Sequence, residues 1–107
     1  MKYYYNGKKV RTSDNIYTHA IIKGEKVIAC CSRYDLAVKR LNQEINYFNK
    51  DIASNELFLK EAIEGKHDEC ISYFNVKNRD ELIEFIKNVI KKQKEIKFKI
   101  VELKVNA

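Results

Sequence analysis

The chain has 107 residues, of which 45% are hydrophobic and 34% charged, and its net charge is +6. This composition is typical of a globular protein rather than a disordered segment, and we expect a single domain over residues 1–107. No stretch approaches 18 uninterrupted apolar residues and no apolar signal segment follows the first methionine, so we expect a cytoplasmic protein without a membrane partner. Three cysteines are too few for a disulfide framework and fit a reducing compartment.

Two β-hairpins are predicted in the first third of the chain. The dipeptide Asn6-Gly7 stands between two runs of β-formers and supplies the two positive-φ positions of a type I′ turn. A second hairpin is predicted over residues 17–31, with its turn at Lys23-Gly24. Both of its faces carry apolar residues, which indicates a central position in a sheet.

A long helix is predicted after the second hairpin. Ser32 can cap this helix, and apolar residues then recur at alternating spacings of four and three, at Tyr34, Val38, Leu41, Ile45, Phe48 and Ile52. The helix extends from Arg33 to Glu64 if it is continuous, with Gly65 as the residue that ends it. Ser54-Asn55 interrupts the pattern, so a break between residues 50 and 55 is the alternative. The apolar face is typical of packing on a sheet, and a homodimer or larger homo-oligomer through this helix is the second interpretation.

In the last third of the chain, the residue pattern predicts a strand at residues 70–76, a second helix and a final strand. Asn78 and Glu81 resemble a capping box at the start of the second helix. In the final strand the alternation changes parity near Ile100-Val101, which predicts either a β-bulge or burial on both faces. The expected fold class is α+β: an antiparallel sheet of two N-terminal hairpins plus the C-terminal strand, packed by the long helix and the shorter one.

The charge is unevenly distributed along the chain. Residues 1–40 hold nine Lys/Arg against three Asp/Glu, residues 41–86 hold five against ten, and residues 87–107 hold seven against two. A basic surface attracts polyanions and accelerates their encounter with the protein. If the two basic ends meet in one sheet, they predict a surface for nucleic acid.

The first hairpin is the best candidate for that surface, because it combines basic residues with aromatic rings on which bases could stack. The basic residues are Lys2, Lys8, Lys9 and Arg11, and the aromatic ones are Tyr3, Tyr4 and Tyr5. The candidates for phosphate contact are Lys8, Lys9, Arg11, Arg33 and Arg40. The alternative is that lysines protect an edge strand from aggregation while tyrosines border the core. Four arginines in the whole chain are few for reading bases, so weak sequence preference is expected.

Motifs for catalysis or metal binding are weak. His67 and Cys70 have an H-x-x-C spacing and could share a zinc ion with His19 and with Cys30 or Cys31. The paired knuckles of a structural zinc site are absent, however, and adjacent cysteines on a strand point to opposite faces, so we predict no metal and no cofactor. The sequence also lacks a glycine-rich phosphate loop and the common hydrolase signatures, so we expect a protein that is not an enzyme. The sharpest enzymatic alternative is a Cys31 thiolate at the helix start with His19 across the hairpin, whereas Cys30 is assigned to packing.

The order of "YYYNGKKVRTSD", "YTHAIIKGEKVIACCS" and "DLAVKRLNQEI" over residues 1–45 resembles small accessory proteins carried by phages and conjugative elements of AT-rich bacteria. Some of these resemble inhibitors of host defence, of the anti-CRISPR or anti-restriction type. The resemblance implies a binding protein that modulates a nucleoprotein complex or binds nucleic acid. Because this chain is basic, contact with the guide RNA or DNA of such a complex, or with an acidic protein surface, is expected rather than imitation of DNA.

Overall fold

The computed structural model describes residues 1–106 and confirms the α+β class. The elements are β1 (Lys2–Tyr5), β2 (Lys8–Thr12), β3 (His19–Lys23), β4 (Lys26–Cys31), α1 (Tyr34–Ile63), a short 3₁₀ helix (Asp68–Cys70), α2 (Arg79–Glu95), β5 (Phe98–Glu102) and β6 (Lys104–Asn106). The chain divides into two compact units. The β unit contains the residues up to Asn46 and those from Lys97 onward, and the helical unit extends from Tyr47 to Ile96. One domain over the whole chain stays a prediction.

The strands of the β unit form two antiparallel sheets of three strands, in the orders β2-β1-β6 and β4-β3-β5. The C-terminal run supplies one strand to each sheet, because β5 pairs with β3 and β6 pairs with β1. Ile100 and Val101 pair with Ile21 and Ala20 in an unbroken register, so no bulge occurs there and both side chains are half-buried. The run instead changes sheets at Leu103, whose N–H donates to the carbonyl of Thr18 at 2.9 Å.

Both predicted hairpins are present. Asn6 and Gly7 have φ values of 52° and 75°, the positive values that a type I′ turn requires. The second turn lies one residue later than predicted, at residues 24–25, where Gly24 has a φ of 65°. β3 is the central strand of its sheet, as the apolar residues on both faces predicted, and Ala20, Ile21 and Ile22 are buried.

Tyr3 anchors the first sheet. Its side chain is fully buried, and its ring meets the ring of Tyr17 edge to face at 5.4 Å. The hydroxyl donates to the carbonyl of Asn15 and accepts the N–H of Tyr17 at 3.1 Å. A buried phenol is stable in a core when its oxygen has partners, so this tyrosine belongs to the core.

Helix α1 is continuous from Tyr34 to Ile63, so the alternative with a break near residues 50 to 55 is wrong. Asn55, which suggested the break, donates its side-chain amide to Oε1 of Gln93 at 2.9 Å and thereby joins α1 to α2. The helix begins after Arg33, whose carbonyl accepts the N–H of Ala37, one residue later than a Ser32 cap predicts.

The helical unit has its own core between the end of α1 and α2. It contains the buried residues Ala62, Leu82, Ile86 and Ile90, bordered by Phe58, Leu59, Ile71, Phe74, Val76 and Ile83. Asn78 caps α2 as predicted, since its Oδ1 accepts the N–H of Glu81 at 2.9 Å.

The strand predicted at residues 70–76 is wrong. The segment forms turns, with the N–H of Phe74 bonded to the carbonyl of Cys70 and that of Val76 bonded to Ile71. Its apolar residues border the helical core instead of a sheet face. Neither helix in residues 1–106 has the length and apolar character to cross a membrane.

Candidate functional site

The basic residues concentrate in the β unit. This unit holds twelve Lys/Arg against five Asp/Glu, whereas the helical unit holds nine against ten. The net charges are therefore +7 and −1, and the β unit is the part of the chain that attracts a polyanion. All five basic residues predicted for phosphate contact lie in this unit.

The sheet β2-β1-β6 presents two different faces. Tyr3 pairs with Arg11 and Tyr5 pairs with Lys8, so these four side chains share the face on which Tyr3 is buried. Tyr4 pairs with Lys9 on one side and with Lys104 on the other, and Lys2 precedes it by two residues on β1. The opposite face, called here the Tyr4 face, is therefore formed by Lys2, Tyr4, Lys9 and Lys104, with Thr12 and Asn106 at its edge.

The Tyr4 face places one aromatic ring among three ammonium groups. Directly opposite residues on neighbouring antiparallel strands have Cα atoms about 5 Å apart, so Lys9 and Lys104 flank Tyr4 closely on either side. Tyr4 is half-buried, and the three lysines are exposed. None of them forms an ion pair within residues 1–106, and no acidic residue occupies a paired position of this face. The ammonium groups therefore remain available to an anion from solution.

The other predicted residues do not share this face. Arg11 lies with its guanidinium 4.9 Å from the ring centre of Tyr17. Lys8 lines an open cavity of about 430 Å³ whose wall also includes Glu25. Arg33 is 3.3 Å from a carboxylate oxygen of Asp35, and Arg40 donates to Glu44 at 2.8 Å. Of the five predicted residues, the structure places only Lys9 beside Tyr4 and beside other lysines that have no ion pair in the described part of the chain.

Sequence reasoning did not select Lys104, because its neighbour Tyr4 is a hundred residues away in the chain. One feature of the sequence did indicate its position. The alternation of apolar residues changes parity in the final run, and Lys104 follows the point at which that run changes from one sheet to the other. Lys2 and Tyr4 belonged to the predicted basic and aromatic group, but alternation along β1 separates Tyr4 from Tyr3 and Tyr5.

Cys31 and His19 lie opposite each other in the β3–β4 pair, as the enzymatic alternative requires. Nδ1 of His19, however, is engaged by the Thr18 hydroxyl at 2.7 Å, and its ring packs edge to face on Tyr34. Burial raises the pKa of the Cys31 thiol, and the nearby Arg40 opposes this effect only in part. The environment therefore favours the neutral thiol, the opposite of what a helix start alone predicts.

We expect Cys31 to react slowly with iodoacetamide at neutral pH, because the thiolate is the reactive form and its population falls as the thiol pKa rises. Peptide mass spectrometry of the native protein at several reaction times measures this rate, and the same cysteine in the denatured chain is the control. A native rate above the denatured rate would show that the site activates this thiol.

The Tyr4 face offers an aromatic ring on which a base can stack and ammonium groups that can bind phosphate. No protein-family model, curated protein or solved structure matches this chain.

Proposed function

We propose that the protein binds single-stranded nucleic acid through the Tyr4 face, with little preference for sequence. The observation that supports this function is the position of Tyr4 between Lys9 and Lys104, on a face whose lysines have no carboxylate partner within residues 1–106. Proteins that bind single strands combine basic groups along the backbone with aromatic rings on which bases stack. The Tyr4 face contains both elements within three adjacent strands.

The chemistry of these residues favours a single strand over a duplex. A base stacks on a tyrosine ring only when it has left its own stack, as it does in loops, ends and single strands. Lysine binds phosphate as a point charge and lacks the fork with which arginine reads a guanine edge. The expected affinity is that of non-specific binding, with a Kd of roughly 10⁻⁴ to 10⁻⁶ M at physiological salt.

We further propose that the nucleic acid bound by this face belongs to a nucleoprotein complex. The resemblance of residues 1–45 to accessory proteins of mobile elements suggests inhibition of a defence complex, and the exposed RNA or displaced DNA strand of such a complex has the chemistry that the Tyr4 face accepts. Inhibition of a nucleoprotein complex through the Tyr4 face would require contact with nucleic acid, so this contact is the property to test first.

Replacement of Tyr4 tests the stacking contact. Tyr4→Ala should weaken binding to a fluorescent single-stranded oligonucleotide roughly 5- to 150-fold, since stacking contributes about 1–3 kcal/mol per base. Tyr4→Phe keeps the ring and should bind almost as well as the wild type. Fluorescence anisotropy gives the Kd, and circular dichroism confirms that each variant is folded.

Tyr73→Ala is the matched control, because Tyr73 is 82% exposed and lies in the helical unit. It should leave the Kd unchanged. Equal losses for Tyr4→Ala and Tyr73→Ala, or no loss for a folded Tyr4→Ala variant, would contradict stacking on the Tyr4 face.

A further inference from the structure

The turn that follows α1 is held firmly at both ends. Gly65 has a φ of +80°, and the N–H groups of Gly65 and Lys66 bond to the carbonyls of Ala62 and Glu61 at 3.0 Å, which is a Schellman motif. At the other end, Arg79 donates two hydrogen bonds to the carboxylate of Asp68, at 2.9 and 2.6 Å. His67 lies between these two points, and the N–H of Cys70 bonds to the carbonyl of His67 at 2.9 Å.

His67 lies within this turn in a defined orientation. Its ring stacks on Phe58 with the centroids 4.2 Å apart and the planes inclined by 25°. Nδ1 is 3.9 Å from Oε1 of Glu69, and Nε2 is 3.6 Å from Oε2 of Glu61. Nε2 is buried and makes no hydrogen bond within residues 1–106, which is uncommon for a buried polar atom, although the Glu61 carboxylate lies just beyond hydrogen-bond distance.

Cys70 completes a group of three different metal donors. One ligand atom each from His67, Glu69 and Cys70 lies within 4.8 Å of the other two. In tetrahedral zinc sites the bond lengths of about 2.0–2.3 Å place neighbouring ligand atoms roughly 3.3–3.7 Å apart. The Glu69 side chain is 73% exposed and free to move over this distance, while the stacked His67 stays in place.

Although the sequence alone predicts no metal, we propose that His67, Glu69 and Cys70 bind a divalent transition metal ion of the zinc class, with Glu61 as the outer carboxylate. In this arrangement Nδ1 of His67 binds the ion and Nε2–H donates to Glu61, which is the pairing that orients most metal-binding histidines. Imidazole, thiolate and carboxylate together suit zinc rather than magnesium or calcium. The Asp68 carboxylate is already occupied by Arg79, so water supplies the fourth ligand.

Cobalt titration tests the site, because Co²⁺ bound to a thiolate has a charge-transfer band in the near ultraviolet and tetrahedral Co²⁺ absorbs strongly in the visible. We expect the full chain to develop both bands with one ion per chain, and Zn²⁺ to remove them by displacement. Cys70→Ser should abolish the thiolate band, and Cys30→Ser with Cys31→Ser should leave it unchanged. A missing thiolate band, or one that survives Cys70→Ser, would overturn the proposal.

Glu61→Gln tests whether an outer carboxylate supports metal binding by His67, as it does in an organised metal site. It should weaken Zn²⁺ binding about 10- to 100-fold, as loss of an outer-shell carboxylate does, while Glu64→Gln on the neighbouring exposed position should have no effect. Competition with a chromophoric chelator gives the affinities. If Glu61→Gln and the wild type bind Zn²⁺ with equal affinity, Glu61 does not belong to the site. Because a thiol releases a proton when it becomes a thiolate ligand, the Zn²⁺ affinity should increase with pH. Tight binding that does not increase with pH would exclude a thiolate ligand.

Discussion

Replacement of Lys2, Lys9 and Lys104 by glutamine should remove most of the salt dependence of single-strand binding. For single strands the slope of log K against log salt is about −0.7 for each phosphate contact. Three contacts give a slope of about −2, so the wild type should lose roughly 20-fold in affinity between 50 and 200 mM salt. The variant should bind weakly at both concentrations and respond little to salt. All three lysines are exposed and form no ion pair with another of the described residues, so the fold should keep its stability.

A second triple variant controls for the loss of positive charge. Lys8, Lys26 and Lys39 are exposed lysines of the β unit that lie outside the Tyr4 face. Their replacement by glutamine removes the same charge and should preserve the wild-type slope. If both triple variants lose the slope equally, the overall charge of the β unit attracts the nucleic acid and the Tyr4 face has no special role.

The largest expected effect on stability is that of Leu82→Ala. Leu82 is fully buried in the core of the helical unit beside Ala62, Ile86 and Ile90. Its truncation removes packed methyl groups and leaves a cavity, which in comparable cores costs about 2–5 kcal/mol. Urea unfolding followed by circular dichroism should show a lower midpoint with a similar slope.

Leu57→Ala is the matched substitution on the surface of the same unit. Leu57 is 57% exposed and lies outside the core group. The same chemical change should therefore alter the free energy of unfolding by no more than about 0.5 kcal/mol. Comparable losses at Leu57 and Leu82 would contradict the position assigned to this core.

Local signals in the sequence predicted the parts of the fold that local chemistry determines. Asn6-Gly7 formed its turn because those residues accept positive φ, and Gly65 and Asn78 ended and began their helices for equally local reasons. Ser54-Asn55 misled the prediction of α1 because Asn55 finds its partner in Gln93 on another helix. Residues 70–76 were wrongly predicted to form a strand because β-forming residues favour burial, and a turn packed on a helical core also provides burial.

The candidate site was harder to predict, because sheet register decides which side chains share a face. Plain alternation would place Lys9 and Arg11 together. The shift of register between Tyr3 and Tyr4 leaves Val10 without a partner and puts the two basic residues on opposite faces. The pairing of Tyr4 with Lys104 joins the two ends of the chain, and no short segment encodes it.

Oligomerisation through α1 stays a prediction.

Binding of the wild-type protein to a single-stranded oligonucleotide, measured by anisotropy from 50 to 200 mM salt, tests the central claim most directly. The Tyr4 face predicts a slope near −2 in log K against log salt, with weaker binding to a duplex of the same sequence. Absence of binding at 50 mM salt, or an affinity that does not change with salt, would contradict it.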